Sequence, residues 1–179
     1  MEPLAALPWP NVRGKRCLGL APRGADVAAE LERRGAREVV AVDTDGHFDL
    51  AALDPFDVVV AGDVLAGTTD PLAIARALRQ VTRGVLLSWE PIDLSLSLVG
   101  RGRALYTIDA TGGAGRLGFN GSGHRHLLAL AGFAIERVSK PFVVPGPIEP
   151  SPLRRVALRA LTGSSEGGVL HRALLARPA

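Results

Sequence analysis

Short apolar runs alternate with helically spaced apolar positions over the first 90 residues of the chain. The runs are rich in β-branched residues and predict buried strands. The strands predicted in this way are 16–21, 38–43, 56–62 and 85–89. A helix is predicted over 26–34, with Gly35 as its C-terminal cap. A second helix is predicted to open at Asp70-Pro71, with Asp70 as N-cap, and to end at Gly84.

The second half of the chain is less regular. A helix is predicted from 122 or 123 to 131, ended by Gly132, and strands are predicted over 133–139 and 170–177. No obvious helix separates these last two strands, so we expect them to pair in antiparallel fashion at the edge of the sheet. The Gly-rich segment 112–123 and the Pro-rich segment 141–152 are predicted to be the long loops.

The alternation of strands and helices predicts an α/β fold, with a mostly parallel sheet covered on both faces. The length of 179 residues predicts a single domain over 1–179. Ligands of such sheets bind beyond the carboxyl ends of the strands, near the point where the strand order reverses. That rule selects residues 21–24, Asp43, Gly62-Asp63 and 88–90 as the places to look for a site.

Composition sets the expected compartment. The chain has one cysteine, Cys17, which excludes a disulfide within the chain. The apolar runs are too short to span a membrane, and the N-terminal basic residues come last, unlike those of a signal peptide. We therefore expect a cytoplasmic protein with no membrane partner.

Charge is distributed unevenly along the chain. Residues 1–100 hold 10 Lys and Arg against 14 Asp and Glu, a net charge of −4, whereas residues 101–179 hold 11 against 4, a net charge of +7. A genome rich in G and C explains an excess of arginine. The alternative is that the second half meets an anionic partner, such as a phosphorylated substrate, RNA or an acidic protein. The chain lacks basic runs with interleaved aromatic residues, which weakens the case for RNA.

Two further patterns carry little functional information. Residues 113–118 match G-x-G-x-x-G, but the motif lies far from the first strand, so a loop over the cleft is expected rather than a dinucleotide site. The N–H groups of that loop and Arg116 could still hold a phosphate. His124 and His126 diverge by roughly 200° on a helix, so they cannot share a metal, and no metal site is expected.

Four segments, taken in order, resemble a known family. They are GKRCLGLAPRGADVAAELERRGAREVVAVDTD (14–45), PFDVVVAGDVLAGTTDPLAIARALRQVTRGVLLSWEP (55–91), GHRHLLALAGFAIERVSKPF (123–142) and GVLHRALLARP (168–178). Their succession resembles the class I S-adenosylmethionine-dependent methyltransferases, most closely the bacterial branch that includes tRNA wobble-uridine carboxymethyltransferases. The resemblance implies a three-layer Rossmann-like methyltransferase fold and S-adenosylmethionine as cofactor.

The resemblance also implies where the cofactor binds. Asp43 corresponds to the acidic residue that accepts hydrogen bonds from the cofactor's ribose hydroxyls, a role that suits an acceptor-only carboxylate. Gly19, Ala21 and Gly24 fall in or beside the family's glycine loop. Gly62 borders the methionine end of the cofactor.

The expected acceptor side lies next to the cofactor. Asp63 and Glu90 follow the family's fourth and fifth strands, and His124 begins a late helix, so these three are the candidate proton acceptors in catalysis. Arg116 and Asn120 lie in the stretch that approaches the acceptor in the family. The resemblance thus assigns these two residues to the substrate.

The chain also departs from the family pattern. The glycine loop D-x-G-x-G-x-G is matched here by Gly19, Ala21, Arg23 and Ala25, so the acid and the aligned glycines are absent. A family phrase with His and Arg reads Ala-Gly-Thr-Thr at 66–69. Only 12 residues separate Asp43 from Phe56, which leaves no room for a helix and a third strand. We therefore expect one edge strand, the family's third, to be missing or shortened.

These observations support two functional hypotheses. The first is methyl transfer from S-adenosylmethionine to a small or phosphorylated acceptor. The second is a catalytically degenerate relative with a lost glycine motif. Such a protein would bind a catalytic homologue or a second copy of itself as a scaffold, or would use the cleft for another ligand.

Overall fold

A computed structural model gives the conformation of most of the chain. The residues that it describes are 4, 7–22, 24–44, 48–66, 68–100, 102–109, 116–145, 156, 159–162 and 168–179, without the side chains of 25, 94, 108, 109, 116 and 117.

Nine strands and four helices have both of their ends within the described residues, and residues 156 and 159–162 are helical as well. The strands are β1 Arg16–Ala21, β2 Glu38–Asp43, β3 Phe56–Gly62, β4 Thr82–Pro91, β5 Tyr106–Asp109, β6 Arg116–Phe119, β7 Phe133–Val138, β8 Phe142–Pro145 and β9 Gly168–Pro178. The helices are α1 Gly24–Arg33, α2 Pro71–Val81, α3 Leu94–Gly100 and α4 Gly121–Leu130.

The main sheet has the order β2-β1-β3-β4-β9-β7, with β8 paired to another part of β9. The first four strands run parallel, and β9 runs antiparallel to β4, β7 and β8. Strands β5 and β6 form a separate two-stranded sheet. The predicted α/β fold, with a mostly parallel sheet and an antiparallel C-terminal edge, is confirmed.

Strand β2 lies at the edge of the main sheet. Between its last residue, Asp43, and the first residue of β3, Phe56, the described residues (44 and 48–55) contain no strand. The expectation that this edge would be one strand short agrees with the order found in the described part of the chain.

The first half of the chain follows its sequence pattern closely. Strands β1, β2 and β3 have the predicted bounds. The Asp70 carboxylate accepts a hydrogen bond from the Ala73 N–H at 3.0 Å, as expected of an N-cap. Gly35 and Gly132 adopt φ angles of 84° and 89°, which close α1 and α4 in the left-handed conformation.

Three predictions on local structure were wrong. Helix α2 ends at Val81 rather than at Gly84, because Thr82 caps it directly (its hydroxyl donates to the Leu78 carbonyl) and the chain enters β4 with no loop. The Gly-rich segment 112–123 is no continuous loop, since it contains β6 and the start of α4. The Pro-rich segment 141–152 contains β8. Residues 110–115 and 146–155 lie outside the described part.

The core has two halves, one on each face of the sheet. Helices α2 and α4 cover one face, where Leu20, Ala61 and Leu86 are buried. Helix α1 and the N-terminal segment cover the other, where Val27, Leu31 and Leu87 are buried. Within the described residues, no helix combines the length and apolar character that crossing a membrane requires.

Gly84 matters because it lies in a bulge of β4, where Arg83 and Gly84 together face Asp57 of β3. A Cβ atom at this position would lie 2.5 Å from the Asp57 carbonyl oxygen, beside the register shift between Phe56 and Val58. We predict that Gly84→Ala lowers the free energy of unfolding by about 1–3 kcal/mol, since the two backbones must move apart. Denaturant unfolding measures this loss, and a change below about 0.5 kcal/mol would contradict the packing described here.

Candidate functional site

The carboxyl ends of the parallel strands form one edge with a change of direction. The chain passes from β1 outward to β2 and then returns across β1 to β3, so the strand order reverses between β1 and β3. Ala21 lies beside Asp43 in the register of β1 and β2, and Gly62 lies beside Trp89 in that of β3 and β4. The structure therefore brings Ala21, Asp43 and Gly62 to the edge where ligands of such sheets bind.

The predicted cofactor positions differ in what they offer there. A Cβ atom on Gly24 would lie 2.7 Å from the Val42 carbonyl oxygen, so only glycine lets the start of α1 come this close to β2. Gly19 lies deeper in β1 and gives room to Val27 of α1. The Ala21 methyl group is buried in the core, so Ala21 can meet a ligand only through its backbone.

Gly62 ends β3 directly under an aromatic ring. A Cβ atom at this position would overlap the indole of Trp89, which is itself 6% exposed. The indole therefore closes the α1 side of the sheet at the level of Gly62.

The loop after β3 is held by one buried carboxylate. Oε1 of Glu90 accepts hydrogen bonds from the N–H groups of Val64 and Leu65 at 3.0 and 2.9 Å, and Oε2 accepts one from Ala66 at 3.1 Å. All three loop residues are buried, so their N–H groups would lack water if the carboxylate were absent. Glu90 was expected to face the cleft as a proton acceptor, but its oxygens are occupied by this loop.

Burial dominates the ionisation of Glu90. The side chain is fully buried, and desolvation raises its pKa to about 8. That value already includes the charge of Asp63, which also raises the pKa, and the three N–H donors, which lower it.

Asp63 takes up a conformation that non-glycine residues rarely adopt. Its φ is 56°, in the left-handed region, and its N–H donates to the Trp89 carbonyl at 3.0 Å. Its Oδ1 lies 2.8 Å from Nε2 of His171, while Nδ1 of that ring lies 2.9 Å from the Val169 carbonyl oxygen. Both ring nitrogens of His171 thus lie within hydrogen-bonding distance of an oxygen atom. A strained acidic residue at the end of a central strand is typical of a functional site.

His124 and Asn120 lie inside the structure. The His124 ring is fully buried, and its Nε2 forms a hydrogen bond with Oγ of Ser88 at 3.0 Å. Burial lowers the pKa of His124 to about 3, with a further contribution from Arg172. A neutral, enclosed imidazole does not present the accessible base that the sequence suggested.

Asn120 holds the loops around α4. Its Oδ1 accepts from the N–H groups of Gly123 and Leu105, and its Nδ2 donates to the carbonyls of Arg103 and Leu96. The amide expected to contact the substrate is thus used by main-chain groups. Arg116 lies in β6, and its side chain is outside the described residues.

The sequence reasoning missed two polar residues of the last strand. His171 contacts Asp63, and Arg172 points to the opposite face, against the first residue of α4. Two consecutive polar residues inside the otherwise apolar segment 168–176 were the available signal. In the described part of the chain, no three His, Cys, Asp or Glu side chains converge as a metal site would require.

Comparisons with known proteins agree with this architecture. An S-adenosylmethionine-dependent methyltransferase from Mesorhizobium loti matches with a TM-score of 0.61 at 18% identity, covering 94% of this chain and 93% of that one. A Burkholderia thailandensis 1,6-didemethyltoxoflavin-N1-methyltransferase with bound S-adenosylhomocysteine matches with a TM-score of 0.59 at 13% identity, covering 93% and 72%. Magnesium protoporphyrin IX methyltransferase from Synechocystis PCC 6803 with bound SAH matches with a TM-score of 0.57 at 16% identity, covering 94% of this chain and 76% of that one.

The chain therefore has the fold of the S-adenosylmethionine-dependent methyltransferases. No protein-family model and no curated protein matches it by sequence. The likeness at these identities is one of fold.

The Glu90 contact can be tested by an isosteric substitution. Both oxygens of Glu90 accept hydrogen bonds from the loop, and the NH₂ group that Glu90→Gln puts in place of one of them accepts none. We predict a loss of about 1–3 kcal/mol in the free energy of unfolding, measured with denaturant. Glu38→Gln, which removes the solvent-exposed ion pair with Arg16, is the control and should cost clearly less. Equal losses in the two variants would contradict a special role for Glu90.

The raised pKa of Glu90 has a consequence for stability. Because the folded state holds this proton more tightly than the unfolded chain, the associated stability is complete below the unfolded pKa and is lost as the pH rises through about 8. We predict that the difference in unfolding free energy between wild type and Glu90→Gln shrinks as the pH is raised from about 5 to about 8. Unfolding curves over that range measure it. A difference that grows with pH would mean that the N–H donors keep the carboxylate ionised.

Proposed function

We propose that this protein transfers the methyl group of S-adenosylmethionine to a small anionic acceptor. The observation that carries the proposal is the arrangement at the carboxyl edge of the sheet, where Asp43, the close approach at Gly24 and the fixed loop after β3 surround the point of strand reversal. The narrower resemblance to tRNA-modifying enzymes stays an expectation, as does a cytoplasmic location.

The residues at this edge fit the cofactor in their chemistry. Asp43 is exposed at the end of β2, where a carboxylate can accept hydrogen bonds from both ribose hydroxyls. Gly24 opens α1, so the N–H groups of that first turn are available to the carboxylate of the methionine part. The missing glycines of the loop do not place a methyl group in the way at residue 21, because that side chain points into the core.

When bound, the cofactor supplies a methyl group on an activated sulfonium. The protein then has to hold the acceptor in line with the methyl group and the sulfur and to exclude water. The loop after β3 can help to hold the acceptor, since hydrogen bonds to the Glu90 side chain fix its backbone. The acceptor's proton has to leave as well.

Asp63 is the best placed of the three predicted proton acceptors. Its Oδ1 is engaged by His171, its side chain is 37% exposed, and its Oδ2 forms no hydrogen bond with the described residues. His171 would thus hold Asp63 in position, with the free oxygen turned towards a ligand. Glu90 and His124 are buried and engaged elsewhere, so we assign them to the support of the site.

The alternative is a degenerate relative that no longer methylates and serves as a scaffold for a catalytic homologue or a second copy of itself. The altered glycine loop and the short edge motivate it. It predicts no cofactor binding by the isolated protein, so one titration separates the two hypotheses.

The test is calorimetric titration with S-adenosylmethionine and S-adenosylhomocysteine. We expect binding by the wild type and a loss of roughly tenfold or more in affinity for Asp43→Asn, as is usual when a charged hydrogen-bond acceptor is neutralised. Glu38→Gln, at the opposite end of the same strand, is the control and should bind like the wild type. Absence of binding and of thermal stabilisation at millimolar ligand would overturn the proposal.

A further inference from the structure

Arg172 is a cation that the described part of the protein leaves without a counter-charge. Its cross-strand neighbour in the register of β4 and β9 is Glu90, yet the carboxylate of Glu90 is turned to the loop after β3. Arg172 forms no ion pair with any described residue, and its Nε is buried with no hydrogen-bond partner. Arg172 as a whole is half-buried, and a buried N–H group without an acceptor costs free energy unless a further group accepts its hydrogen bond.

A second incomplete group lies beside it. Nδ1 of the fully buried His124 also lacks a partner, and these two nitrogens are the buried side-chain atoms without hydrogen bonds in the described ranges. The two residues lie close together: His124 is in the first turn of α4, and Arg172 packs against Gly121 of the same turn. The charge of Arg172 also acts on His124. Unsatisfied polar atoms that gather at one point indicate a missing ligand better than scattered ones do.

The first turn of α4 is shaped around this arginine. A Cβ atom on Gly121 would lie 2.8 Å from Nη1 of Arg172, so the guanidinium rests where a side chain would otherwise be. The turn contains no acidic residue, and the N-terminus of a helix is itself electropositive. Arg125, one turn further on, adds positive charge and, together with burial, lowers the pKa of Arg172.

The positive surface continues away from this point. Arg125 lines a cavity of about 510 Å³ between α4 and β7, together with His126 and Arg137. The acid in that lining, Glu136, is already paired with Arg177 at 2.6 Å. The acid that lines the cavity beside Arg125 is therefore already paired with another arginine.

We propose that Arg172 and Arg125, at the first turn of α4, bind a carboxylate or phosphate group of the methyl acceptor. The sheet supports this place, since Arg172 lies near the start of an antiparallel strand and hence at the same edge as the carboxyl ends of β3 and β4. A guanidinium fork pairs with two oxygens of either anion. That the bound anion belongs to the methyl acceptor rests on the proposed function, whereas the anion site itself does not.

The test uses simple anions and no cofactor. Wild-type protein is melted with inorganic phosphate or with malonate against chloride at equal ionic strength, and binding is titrated calorimetrically. We expect at least one of the two to stabilise the protein beyond chloride, and the preferred one identifies the anion class. Arg172→Met should weaken that binding roughly tenfold or more. Arg172→Lys should retain part of it.

The control is Arg33→Met, which removes an exposed arginine paired with Glu30 on α1, on the opposite face of the sheet from α4, and should leave anion binding unchanged. Arg125→Met should weaken anion binding severalfold. Because Arg125 is exposed, this variant should fold even if Arg172→Met does not, and the site can then still be tested. Equal anion responses in wild type and in the Arg172 and Arg125 variants, or none beyond chloride in the wild type, would overturn the site. A wild type that binds the anion but not S-adenosylhomocysteine would refute the proposed function and leave the anion site standing.

Discussion

The buried carboxylate of Glu90 is the contact on which the ligand edge of this protein depends. Three consecutive N–H groups of a loop without secondary structure converge on its two oxygens, and water cannot replace them. The loop begins with the strained Asp63, whose backbone is tied to Trp89 and whose side chain is tied to His171. One side chain of β4 thus fixes the conformation of the segment that follows β3. A neighbouring strand thereby determines the backbone conformation next to the point of strand reversal.

Because Glu90 binds this loop, it forms no ion pair with Arg172. If Glu90 paired with Arg172, its cross-strand neighbour, the loop after β3 would lose its hydrogen-bond acceptor. The positive charge of Arg172 would then already be compensated. Instead Ser88, Glu90 and Arg172 share one face of the sheet at its ligand end, with His124 packed over them. Polar residues in such a position reduce stability compared with an apolar core. Such destabilising features are found mainly at functional sites.

How far the sequence predicts the structure depends on where the stabilising contacts lie. Strands β1 and β3 lie between neighbours on both sides and are covered on both faces, so their apolar runs are continuous and their bounds follow from the sequence. Strand β8 and the pair β5–β6 are short and depend on pairing, and β8 exists because β9, more than twenty residues later, accepts it. The rule of strand ends selected Asp43, Gly62 and Asp63, but it could not assign roles. Glu90 and His124 look like free catalytic groups until their partners are seen, and His171 finds Asp63 across 108 residues.

The short edge of the sheet shifts the demands on the rest of the site. Strand β2 is the outer strand of the described sheet and is half exposed, so Asp43 is flanked by sheet on one side. Under the proposed function, the turn after β1 and the loop after β3 therefore supply contacts to the ligand that no further described strand beside β2 supplies. Fewer contacts can suffice when they are already in place, because ordering a flexible loop on binding costs free energy.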